Sequence, residues 1–205
     1  MDKQGKCHLC GETKPLCRAH LTPDSFGRWI KKNNSFIEVR ENKKKKKQTL
    51  AYDKNILCSD CDNVKLGVYD KVFINFCKQA YEHPHRKKPF NSHGKLDDIS
   101  VIIEIDSMSI QLGIIASIWR HSISSHNPRI DFGNKYNAMF KTWLWTGTIP
   151  DNEKHFCKIL PILCIDDGLD EYIISPYGGR VGNTFLYYYQ IPGMFFFIEI
   201  GQQWN

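Results

Sequence analysis

Two C-x-x-C pairs constrain this chain more than any other feature. Cys7 and Cys10 form the first, and Cys58 and Cys61 the second. Two such pairs supply four thiolates, the shell of a tetrahedral structural zinc. The 47 residues between Cys10 and Cys58 exceed the gap of a compact zinc ribbon. A shared Zn2+ would therefore clamp the base of an inserted hairpin or loop. The plainer alternative is two unrelated reduced pairs. A redox dithiol fits less well, because no βαβ pattern surrounds either pair. Cys17, Cys77, Cys157 and Cys164 read as small buried hydrophobes.

The rest of the composition is that of a globular chain. Of 205 residues, 41% are apolar, 24% charged and 13% aromatic. No apolar run reaches the roughly 18–20 residues of a membrane span, so a soluble protein with no membrane partner is expected. MDKQGKCHLC has no apolar signal core, which points to the cytoplasm and to reduced cysteines. Charge divides the chain. Residues 1–95 carry 21 Lys and Arg against 10 Asp and Glu, while residues 96–205 carry 7 against 12. The basic half suits a polyanion, and the acidic half does not.

Periodicity and punctuation predict an α+β protein. A short helix is expected at 24–32, a strand at 35–40, an exposed basic loop over ENKKKKKQT, and a second strand within 52–58. A helix should follow over 59–80, with Leu66, Tyr69, Val72, Phe73 and Phe76 as its buried stripe. The Pro-, Gly- and charge-rich stretch that holds His83 and His85 reads as a linker. That divides the chain into 1–82, a linker at 83–98 and a second α+β domain at 99–205. In the second domain a strand is expected at 100–106, helices at 109–122 and 134–147, and a strand at 156–166 broken by Pro161. Antiparallel strands follow to the C-terminus. The run LYYYQIPGMFFFIEI reads as a hairpin buried on both faces, or as an edge that binds a partner protein.

Between the cysteine pairs stands A-H-x-x-P, residues 19–23, and after the second pair comes Asp62-Asn63. C-x-x-C, A-H-x-x-P and N-I-L-C-x-x-C-D-N in this order resemble the HNH endonuclease family of the zinc-bearing kind. The resemblance covers residues 5–80. It implies a zinc-stapled ββα-metal module, a β-hairpin and a helix around one catalytic divalent ion. His20 matches the family's general base, and an imidazole is suited to deprotonating water near neutral pH. Asp62 takes the place of the final metal-binding His. Asp53 stands at the family's middle Asn. Both carboxylates suit Mg2+ or Mn2+. Many members carry Asp or Glu immediately before the first His; here that residue is Ala19.

The implied activity is metal-dependent hydrolysis of phosphodiester bonds in DNA, with defence against phage as one setting. Arg18, Arg28, Lys31, Lys32 and Lys43, Lys44, Lys45, Lys46 and Lys47 would contact the DNA backbone with weak sequence preference. The alternative is a catalytically silent, zinc-stabilised subunit that binds nucleic acid or protein. Residues 99–205 carry no catalytic signature.

Overall fold

The computed structural model describes residues 4–30, 36–40, 43–82, 107–125, 130–163 and 173–201. The expected linker at 83–98, the expected strand at 100–106, Cys164, Lys31 and Lys32 lie outside the described residues. The architecture is α+β, with antiparallel strands at the C-terminal end.

The chain opens with a hairpin, β1 (Gln4–Lys6) against β2 (Thr13–Pro15), whose loop holds the first cysteine pair. β3 (Ala19–His20) pairs with β6 (Tyr52–Asp53), and between them run α1 (Asp24–Ile30), β4 (Phe36–Arg40) and β5 (Lys43–Lys47). The expected basic loop is thus a strand. β5 pairs with β4 from Phe36↔Lys47 to Arg40↔Lys43. Consecutive side chains on a strand point to opposite faces, so Lys45, Lys46 and Lys47 do not form one row. The expected strand at 52–58 is only two residues long, because the chain turns at Asn55 to bring the second cysteine pair back to the first.

A π-helical turn (Asp60–Lys65) leads into α2 (Leu66–Glu82). Its buried side comprises Leu66, Phe73, Ile74, Cys77 and Ala80, with Tyr69, Val72 and Phe76 partly covered. α3 (Ser107–Ile123) crosses α2 closely: a Cβ on Gly113 would lie 2.6 Å from the Phe73 Cβ, so only glycine fits there. α4 (Gly133–Thr146) ends, as expected, at a left-handed Gly147.

Four strands complete the fold: β7 (Cys157–Leu163), β8 (Ile174–Val181), β9 (Thr184–Ile191) and β10 (Met194–Gly201), in the order β7-β10-β9-β8. β7 runs unbroken through Pro161. It is an edge strand, where the missing N–H of proline can face outward. The aromatic run forms the two central strands, not an edge. Its inner face (Tyr187, Tyr189, Met194, Phe196, Ile198, Ile200) is buried, while Tyr188 on the outer face is exposed. Phe73 of α2 meets Phe196 at 5.5 Å and Phe26 at 5.2 Å between ring centroids. One apolar core therefore runs from the zinc-type knuckle to the C-terminal sheet.

Candidate functional site

The four paired cysteines converge. The sulfurs of Cys7, Cys10, Cys58 and Cys61 lie within 4.8 Å of one another, and none is in a disulfide. Backbone bonds set this geometry. The Gly11 N–H closes the knuckle on the Cys7 carbonyl at 2.8 Å, and the His8 and Cys17 N–H groups donate to Ile56 and Leu57. The Cys58 N–H points at the Cys7 sulfur at 3.4 Å. Burial opposes a thiolate at Cys7, but N–H groups of Cys58, Cys10 and Leu9 outweigh it and bring the pKa to about 7. A closed set of four sulfurs, three of them buried, suits a structural zinc ion.

Just beyond this cluster, a cleft of about 490 Å³ opens between α1, the start of α2 and α3. His20 and Asp62 both line it. β3 presents His20, and the π turn presents Asp62. Cys61 faces the sulfur cluster and its neighbour faces the cleft, so the wide turn serves two sites with adjacent residues. Such turns recur at functional positions. His20 Nε2 and Asp62 Oδ1 are buried atoms without a hydrogen-bond partner among the described residues. Burial holds the His20 imidazole below its usual range; Asp24 works the other way, and Arg18, Arg120 and Arg28 add to the depression. Burial pushes the Asp62 carboxyl up, against the pull of Arg120.

Other sequence candidates go elsewhere. Asp53 does not line the cleft. It is 1% exposed, and its carboxylate accepts from Ser124 Oγ at 2.8 Å and from the Asn55 N–H at 2.8 Å. That arrangement ties the β6 turn to the end of α3 and engages both carboxylate oxygens. Arg18 donates to Thr49 Oγ1 at 2.8 Å and lies 3.7 Å above the Tyr52 ring. Arg28 lines the cleft but is tied to Asp24 at 2.6 Å and to Ser25 at 2.8 Å. Lys45, Lys46 and Lys47 are exposed on β5, away from the cleft lining. Ala19 is fully buried in the core and does not line the cleft.

The structure adds residues that sequence reasoning missed. Asp24 Oδ1 lies 3.5 Å from His20 Nε2. Arg120, 1% exposed, reaches in from α3; it forks onto both oxygens of Asp70 at 2.9 Å and stands 3.3 Å from Asp62 Oδ1. Asp24 had a faint signal, one helical turn after His20. Arg120 had a better one, because an arginine inside an otherwise apolar helix is seldom buried without a partner. Nothing local, however, could have named Asp70 and Asp62 as that partner.

The C-terminal half also holds the segment that leaves His20. Ser117 Oγ lies 3.1 Å from the Leu21 carbonyl and 3.0 Å from the Tyr189 hydroxyl. That hydroxyl is 3.2 Å from Thr22 Oγ1, which is 3.2 Å from His121 Nε2. These buried polar groups satisfy one another across three elements. Among the described residues, the four cysteines are the only cluster of three or more metal-ligating side chains, and no helix is long and apolar enough to cross a membrane. Compared with known proteins, the chain matches no family model, no curated protein and no solved structure.

Proposed function

We propose that the chain is a metal-dependent phosphodiesterase acting on DNA, with His20 as general base and Asp62 as ligand of the divalent ion. One observation carries this reading: His20 Nε2 and Asp62 Oδ1, both buried and each held only by an ion-pair contact, to Asp24 at 3.5 Å and to Arg120 at 3.3 Å, line one cleft beside a four-cysteine cluster. Buried polar atoms without hydrogen bonds are costly, which favours a ligand that would satisfy them. The chain order of β3, β6 and the helix after the second cysteine pair adds support from the HNH-like resemblance.

Asp62 suits Mg2+ or Mn2+, which take one or two carboxylates and complete their shells with water and substrate phosphate. When bound, such an ion would stabilise charge on the phosphate oxygens and the leaving oxygen. His20 would take the proton from the attacking water. Its depressed pKa keeps it neutral, and so basic, near pH 7. Asp24, whose Oδ1 lies 3.5 Å from the same Nε2, would stabilise the imidazolium that forms. The zinc-type cluster, through Cys61, would set where Asp62 stands.

Nicking of plasmid DNA with added Mg2+ or Mn2+ tests this. His20→Ala should lower the rate by about 10²–10⁴, as for loss of a general base, with the fold intact. Asp62→Ala should raise the divalent ion concentration needed. Equal cutting by wild type and His20→Ala would defeat the reading. A second reading draws on Arg120, whose guanidinium at 3.3 Å already neutralises Asp62. In that reading the chain binds nucleic acid without cutting it, and every variant would be equally inert.

A further inference from the structure

We propose that the α2 wall of the cleft is a phosphate track, on which Lys71 and Lys78 grip one strand of a nucleic acid leading to His20 and Asp62. For its ligand class this rests on the phosphodiesterase reading. The placement of charge is independent of it.

Gly67, Lys71, Ile74, Asn75 and Lys78 all line the cleft. Their spacing puts them on one face of α2, three or four residues apart along the groove. Gly67 keeps the wall low beside Asp62: an added Cβ would find nothing closer than the Asp62 carbonyl oxygen at 3.7 Å.

The cations of the cleft fall into two kinds. Both arginines are committed inside the protein, Arg28 to Asp24 and Ser25, and Arg120 to Asp70 and Asp62. Lysines nearby are committed too: Lys14 pairs with Glu12 at 2.6 Å, and Lys65 sits 5.4 Å over the Trp145 ring. Lys71 and Lys78 are exposed, line the cleft, and make no ion pair or hydrogen bond with a described residue. They are the cleft's uncommitted positive charge.

Seven residues of α-helix separate them, a rise of roughly 10.5 Å. That is too far for one phosphate group to bridge. One strand of a duplex presents a phosphate about every 3.4 Å of axis while winding around that axis, so phosphates about two steps apart come nearest to the separation of the two lysines. The Asn75 amide lies between them and offers donors to the intervening backbone. A repeating polyanion fits this spacing, and a lone anion does not.

The test is binding of a fluorescein-labelled 16-base-pair DNA duplex over a KCl series. No divalent ion is added, so that no strand is cut. Each lost phosphate contact should lower the slope of log K against log salt by about 0.9. Lys71→Gln with Lys78→Gln should lower it by about 1.8 and weaken binding about tenfold or more near 0.1 M salt. Lys54→Gln with Lys158→Gln, exposed and outside the cleft, should keep the wild-type slope. An unchanged slope in the Lys71/Lys78 variant would overturn the track, as would a wild type that fails to bind the duplex at low salt. The nicking assay judges the other reading separately. A wild type that cuts DNA alongside an unchanged slope sinks only the track; a lowered slope without cutting sinks only the nuclease.

Discussion

The two halves of the molecule contribute to the same cleft in opposite ways. Residues 4–82 carry the recognisable chemistry: two cysteine pairs, a histidine before a proline, a carboxylate at a helix start. Residues 107–201 carry no motif, yet supply Arg120, Ser117, Ser124 and Tyr189, which bond to Asp70, Leu21, Asp53 and Thr22 of the first half. Motif residues alone do not make a site. The short β3–β6 ladder has only two residue pairs, too few to be stable by itself, and its position comes from helix and sheet packed against it.

The comparison breaks most directly at the cysteines. If the N-terminal part is stapled by metal, the purified protein should hold one zinc ion per chain by elemental analysis. Cys58→Ser should unfold or aggregate that part, since structural zinc contributes on the order of 10 kcal/mol to such folds. Soluble, folded protein without zinc would show that hydrophobic packing suffices.

A smaller effect is expected from the other half. Arg120→Ala leaves Asp70 and Asp62 near each other and partly buried without their cation. Loss of one partner of a buried pair costs about 3–5 kcal/mol, to be read in denaturant unfolding. If Arg120 belongs to the site, DNA cutting should fall as well, though the substitution lies far from every motif. A variant with normal stability would mean that the C-terminal half only covers the cleft.

The smallest effect sharpens the role of Asp24. In the proposed mechanism a neutral His20 is the base, so the rate should fall as pH drops through its folded pKa, which burial places below 6.5. Asp24 is the nearby group that opposes this depression. Asp24→Asn should therefore move the acid limb of the pH–rate profile further toward acid, with the alkaline side unchanged. A limb that stays in place would remove Asp24 from the mechanism.

Local signals reached some of this arrangement and missed the rest for physical reasons. The knuckle of Cys7 and Cys10 is a few residues of tight turn, and α2, α3 and α4 follow from apolar periodicity, so all were legible. The lysine run was misjudged because charge suggests a loop, whereas pairing with Phe36–Arg40 supplies a strand's hydrogen bonds whatever the side chains. Pro161 was misjudged because proline breaks a strand only where its N–H is needed, and at an edge it is not. The partners of Asp53 were not legible. A turn carboxylate acts on metal or on backbone according to what faces it, and here Ser124 and the Asn55 amide do.

The sequence by itself determined the two cysteine pairs, the helix faces and the two residues on which the proposed chemistry rests. Each of these depends on neighbours a few positions away, through turn geometry or helical repeat. Only the tertiary structure decided which carboxylates meet which cations. Arg120 lies 50 residues from Asp70 and 58 from Asp62, and their pairing exists because Gly113 lets α3 press onto α2. No local rule carries such a contact, since it is the packed core that brings the two helices together and makes a buried charge affordable only beside its partner.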